Sequence, residues 1–127
     1  MGMPRLRRPD LWFPPLALMG LIFFFSAQPN LNSGLGTIDL IGRKLVHFGE
    51  YALLCLLWWR ALAGRLGARR AAVVALLIAS AYAATDEFHQ SFVETRNGSP
   101  LDWLIDTAGA AAAAWWIAAR ARVRAAA

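Results

Sequence analysis

The chain has 127 residues, 58% of them hydrophobic and 17% charged, with six Trp, seven Phe and a formal net charge of +5 at pH 7. That is room for one domain, but the positive mean hydropathy and aromatic load are unlike an ordinary soluble domain of this size. A membrane is the first environment to test.

A transmembrane helix needs about 20 mainly apolar residues to cross a hydrocarbon core of roughly 30 Å, and four stretches of the chain have that character. The first covers residues 11–27 (LWFPPLALMGLIFFFSA), with Pro14 and Pro15 in its first turn, where they cost few helical hydrogen bonds. Residues 44–63, 71–92 and 101–119 supply the other three. A strand reading fails, because the runs are too long and Ala/Leu-rich and lack period-2 alternation. The expected fold is therefore all-α, a single integral membrane four-helix bundle over residues 1–127 with no convincing internal repeat. Arg5, Arg7 and Arg8 before the first run also resemble a signal peptide, but cleavage after Ala27 would put Phe25 where a small residue is wanted.

The connections are short. Residues 28–41 (QPNLNSGLGTIDLI) read as a loop whose later part is an amphipathic lead-in to the second helix. Residues 93–99 contain Asn97-Gly98, a tight-turn signal that holds Arg96 back over the carboxylates of the third helix. Ser99, Pro100 and Asp102 fit the cap, first position and first turn of the fourth helix. The Ala-rich tail after Ala118 reads as a frayed helix end with arginines near anionic lipid. Trp12 and the Trp58-Trp59 and Trp115-Trp116 pairs fall towards one membrane interface and Trp103 towards the other. Cys55 is the single cysteine, so no intrachain disulfide forms.

Basic residues in short loops set orientation. With four crossings, ten of the thirteen cations share one side: Arg5, Arg7 and Arg8, then Arg60, Arg65, Arg69 and Arg70, then Arg120, Arg122 and Arg124. Only Arg43, Lys44 and Arg96 fall on the other, so both termini are expected in the cytoplasm. The basic balance is then a topology signal. A nucleic-acid partner is disfavoured, since the cations are dispersed at helix ends rather than gathered on one soluble face.

The same topology sends seven of the eight acids, Asp39, Glu50, Asp86, Glu87, Glu94, Asp102 and Asp106, to the outer half, with both histidines. Lys44, His47, Glu50 and Tyr51 span about 120° of the second helix. Tyr82, Asp86, His89 and Gln90 fall within about 100° of the third, with Glu87 to one side. Asp102 and Asp106 lie one turn apart on the fourth, and Gly109 and Ala113 continue that face. Ionisable groups in lipid cost about 2.5 to 3.5 kcal/mol each even on the insertion scale, so these stripes should face one another inside the bundle. Small residues on the fourth helix, Gly109 with Ala110 to Ala114, would let neighbouring backbones approach.

The order KLVHFGEYALL, then AYAATDEFHQSFVETRNGSPLDWLIDTAGA, resembles the VanZ-like family of small bacterial membrane proteins. The family's Lys-x-x-His-x-x-Glu-Tyr segment falls on Lys44, His47, Glu50 and Tyr51. Its Asp-Glu-x-x-Gln segment and following Arg fall on Asp86, Glu87, Gln90 and Arg96, and its Asp-x-x-x-Asp-x-x-Gly segment on Asp102, Asp106 and Gly109. The resemblance implies a multi-pass protein of the bacterial cytoplasmic membrane. The founding member is associated with low-level resistance to the glycopeptide teicoplanin, which acts outside that membrane; the name supplies no reaction.

Three readings of the polar stripes stand side by side. The first is a pocket for an envelope lipid headgroup or precursor, with Lys44 and Arg96 on its phosphate or carboxylate. The second is a membrane enzyme on a lipid-linked substrate, with Glu50 or His47 as general base. No serine or cysteine nucleophile is obvious: Ser91 lies near the site, Cys55 deep in the second helix. Carboxylates with added imidazole would also hold a divalent cation, although the spacing matches no HExxH motif. The third is structural: Asp86, Glu87 and Asp102 pair with Lys44, Arg96 and Arg43 and hold the helix ends in register. On this third reading Asp102 is simply a first-turn carboxylate and His89 a packed or interfacial histidine. Membrane lipids are the expected partners, and an even helix number is compatible with a homodimer.

Overall fold

The computed structural model describes residues 8–26, 36–92 and 100–126. Four helices and no strands occur among the described residues: α1 (Arg8–Ser26), α2 (Thr37–Leu66), α3 (Ala68–Gln90) and α4 (Pro100–Ala126). The expected all-α four-helix arrangement is present, with longer helices than the apolar runs alone indicate.

α1 begins at Arg8, with Asp10 in its first turn favouring the exposed amides. Pro14 and Pro15 consequently lie inside the helix, not in its first turn as the apolar run implies. Each proline removes one backbone donor from the ladder, and the helix continues through both. α2 starts at Thr37, so the lead-in expected after the loop is one helix with the second span. At its other end Gly67 takes a φ of 81°, which a β-carbon would resist, and its N–H bonds to Ala63 O. This one-residue connection reverses the chain directly into α3. α4 opens on Pro100, as its helix-start signal indicates, and stays helical past Ala118 with Arg120 over the Trp116 ring at 4.8 Å.

α2, α3 and α4 pack mutually, and α1 lies against α2 with a smaller contact to α3. The interior is built from small side chains. Ala71, Ala75, Ala79 and Ala83 form a buried stripe on α3, facing Ala61 and Leu54 of α2 and Ala110 and Ala113 of α4. Such seams bring backbones close. At Gly109 a β-carbon would overlap the carbonyl oxygen of Phe48 and lie 2.9 Å from its carbonyl carbon, so α2 and α4 meet backbone to backbone.

Polar cross-links fix the register. Trp103 donates its indole N–H to Ser80 O at 3.0 Å, and Ser80 and Thr107 share a hydroxyl hydrogen bond of 3.0 Å. Tyr82 donates to Met19 O of α1 at 2.5 Å. Trp58 is buried and meets Trp12 edge-on at 5.4 Å, which makes it a packing residue of the core. Trp103 is likewise a packing residue, whereas Trp115 and Trp116 are exposed.

By length and hydropathy, one described helix, Ala68–Gln90, is apolar enough to cross a membrane, and Pro9–Phe25 is a shorter apolar helix. The ionisable residues along α2 and α4 lower the hydropathy of those two. By this criterion only α3 of the described helices is a span by itself. The outer surface is nevertheless apolar: Phe13, Leu45, Leu77, Phe88 and Trp115 are each more than 60% exposed.

Candidate functional site

α2 and α4 both run away from one end of the bundle and α3 runs towards it. The first turns of α4, the N-terminal half of α2 and the last turns of α3 therefore share that end, and the three polar stripes converge there. Lys44 Nζ lies 3.0 Å from Asp102 Oδ1 at the rim, both side chains about one third exposed. One turn deeper, His47 Nδ1 lies 3.5 Å from Asp106 Oδ1, and Asp106 is fully buried. The step from Lys44 to His47 on α2 matches the step from Asp102 to Asp106 on α4, and Phe48 against Gly109 follows directly. A glycine contact thus aligns two polar pairs.

Asp86 joins the deeper pair from α3. One ligand-type atom each from His47, Asp86 and Asp106 falls within 4.8 Å of the others. Glu50 is half-buried and within electrostatic reach of all three. Tyr51 is completely buried, its hydroxyl has no hydrogen-bond partner among the described residues, and it senses Asp86, Asp106 and Glu50.

Glu87 and Gln90 are buried as well. Glu87 lies to one side of Asp86 and Gln90 and continues the Ala79–Ala83 stripe, so the buried face of α3 is wide enough to take it. His89 stacks on Phe23 with ring centroids 4.5 Å apart, a packing contact between α3 and α1. Arg96, Glu94 and the Asn97-Gly98 turn lie outside the described residues.

The sequence reading missed a cavity beside the cluster. It has a volume of about 380 Å³ and is lined by Phe25 of α1 and by Ile38, Asp39, Gly42, Arg43, Val46 and His47 of α2. Its signal was present: residues 37–47 carry polar and apolar positions at helical spacing, once the helix is allowed to begin upstream of its apolar part. A second cavity, about 350 Å³, lies at the opposite end, lined by Trp59, Trp116, Arg120 and Arg124 among others and by no acid.

A family model described as VanZ/LLP1 matches residues 11–121. The chain belongs to the VanZ/LLP1 family. No curated protein and no solved structure matches it. The resemblance carried by Lys44, His47, Glu50, Tyr51, Asp86, Glu87, Gln90, Asp102 and Asp106 is thus borne out at the level of family. In this VanZ/LLP1 member the motif residues that are described gather at one end of the bundle, Lys44 to Asp102 at its rim and His47, Asp86 and Asp106 beneath.

Proposed function

We propose that this VanZ/LLP1 protein is a multi-pass protein of the bacterial cytoplasmic membrane, with both termini inside, that binds the polar headgroup of an envelope lipid or precursor at its outward-facing end. The observation that carries the reading is the shared residue His47. It lines the cavity between α1 and α2 and also contacts buried Asp106. Apolar Phe25, Ile38 and Val46 on the cavity wall suit an acyl or prenyl chain, while Arg43 and His47 suit a phosphate.

Membrane placement is supported by membership of a generally membrane-associated family, by the apolar α3 and by the exposed Phe, Leu and Trp side chains around the bundle. Exposed apolar area on this scale has no favourable contact in water. Polar groups of α2 and α4 are then tolerable because they face one another rather than lipid. An outward-facing lipid site is also where a change in glycopeptide susceptibility would originate.

The test is native mass spectrometry of the detergent-released protein. Wild type should retain a phosphate-bearing lipid that Val46→Trp, which fills the cavity, and Arg43→Gln release while the helix content stays unchanged. Lipid retained equally by both variants would remove the cavity from the account. The His47–Asp106 pair favours one further reading, general acid–base catalysis on the bound headgroup; it requires a product that appears with wild type and disappears with Asp106→Asn.

A further inference from the structure

Asp106 is 0% exposed, and neither of its carboxylate oxygens has a hydrogen bond among the described residues. Its contact with His47, at 3.5 Å, is longer than the roughly 2.7–2.9 Å of a charge-assisted N–H···O bond. Tyr51, also 0% exposed, carries a further buried oxygen without a hydrogen bond among the described residues and lies within electrostatic reach of Asp106 and Asp86. Buried oxygens are normally satisfied, because leaving one bare costs its desolvation. Two such oxygens within electrostatic reach of each other, with an imidazole 3.5 Å from one of them, leave an arrangement that no described side chain completes.

A cation about 2.0–2.6 Å from each donor holds its donors roughly 3 to 5 Å apart. The donor atoms of His47, Asp86 and Asp106 already lie within 4.8 Å of one another, so side-chain adjustments alone would close them on an ion. We propose that His47, Asp86 and Asp106 bind one divalent cation of the first transition series, with the Tyr51 hydroxyl beside it. One imidazole nitrogen with two carboxylates is a mixed donor set that suits Zn²⁺ or Mn²⁺ better than the all-oxygen ions Mg²⁺ and Ca²⁺. The three donors come from three helices, so the ion ties α2, α3 and α4 together at their polar end. It also presents positive charge to the cavity that His47 lines, where a phosphate would meet it. The inference deepens the headgroup reading at the same cluster, but cation binding requires no lipid.

The full chain, purified in detergent and stripped with EDTA, is titrated with Zn²⁺ and with Mn²⁺ by calorimetry. Wild type should take up one equivalent; Asp106→Asn should bind at least about tenfold more weakly, and Tyr51→Phe, beside the ion, about tenfold more weakly. Trp116→Leu, at the opposite end, should bind as wild type does. Mn²⁺-loaded wild type should show coupling to an imidazole nitrogen by pulsed electron paramagnetic resonance, a readout that stands even if Asp106→Asn fails to fold. Absence of uptake by wild type, absence of imidazole coupling, or unchanged affinity in a folded Asp106→Asn protein would overturn the site. If lipid is retained while no cation binds, the metal site falls and the headgroup reading stands; the reverse result removes the lipid and keeps the metal.

Discussion

Gly109 of α4 rests against the backbone carbonyl of Phe48 in α2, and this contact sets how far His47 stands from Asp106. The two pairs are locked by sequence distance: Phe48 follows His47, and Gly109 lies three residues beyond Asp106 on the same face. Any side chain at 109 must push the helices apart. Gly109→Ala is therefore expected to lower stability by about 1–3 kcal/mol, the usual range for overpacking, read as an earlier melting transition in detergent. The sign is diagnostic, since helix propensity alone would favour Ala over Gly by roughly 1 kcal/mol. A higher melting temperature would show that the close approach does not exist.

The rim pair and the deeper pair should differ in strength. Lys44 and Asp102 are each about one third exposed, and solvent screening holds such pairs to about 0.2–1 kcal/mol. A double-mutant cycle with Lys44→Met and Asp102→Asn should return a coupling in that range. The cycle with His47→Gln and Asp106→Asn should exceed it, because Asp106 is shut off from solvent and removing one partner strands the other. Equal couplings would mean that the deeper pair is as hydrated as the rim.

Much of this site was legible in the sequence, for a definite reason. Lys44, His47, Glu50 and Tyr51 recur at helical spacing, and so do Asp102 and Asp106; stripes of costly groups in an apolar chain have to meet. Gly109 was legible as a close-approach position for the same kind of reason. Hydropathy failed where a helix is polar. The amphipathic lead-in is legible, but hydropathy starts the second span at residue 44, whereas α2 is continuous from Thr37, and the cavity wall formed by Ile38, Asp39 and Arg43 lies on that added stretch. The prolines mislead in the other direction: Pro14 and Pro15 fit the first turn of the apolar run, but α1 begins upstream at Arg8. Tryptophan is ambiguous by nature, being both interfacial and a large packing residue, and Trp58 was decided by the neighbouring Trp12, which no local pattern reveals.

Orientation is open to a direct chemical test, because the chain's sole cysteine, Cys55, is buried and can be replaced by Ala to leave a cysteine-free background. Single cysteines introduced as Gly2→Cys, Asn97→Cys and Ala127→Cys then report sidedness to a membrane-impermeant maleimide. The distribution of basic residues leads us to expect labelling at 97 in intact spheroplasts and at 2 and 127 only after permeabilisation. The opposite pattern would turn the polar end towards the cytoplasm, and an envelope precursor at the outer face would no longer be a candidate ligand. Labelling at 2 and 127 on opposite sides would rule out an even number of crossings.

Two tyrosines separate packing from ligand binding. Tyr82 donates its hydroxyl to Met19 O and so ties α3 to α1, whereas the buried hydroxyl of Tyr51 has no hydrogen-bond partner among the described residues. Removing a made hydrogen bond costs about 0.5–1.5 kcal/mol, while removing a buried group that lacks one relieves its desolvation. Tyr82→Phe should accordingly lower the melting temperature of the metal-free protein, and Tyr51→Phe should leave it unchanged or raise it. The order should change on loading with Zn²⁺, because Tyr51→Phe then forfeits part of the stabilisation that a bound cation contributes by mass action. A Tyr51→Phe protein that melts early without metal and gains as much as wild type with it would make Tyr51 an ordinary core residue, and the polar end of the bundle would lose the phenol oxygen assigned to it.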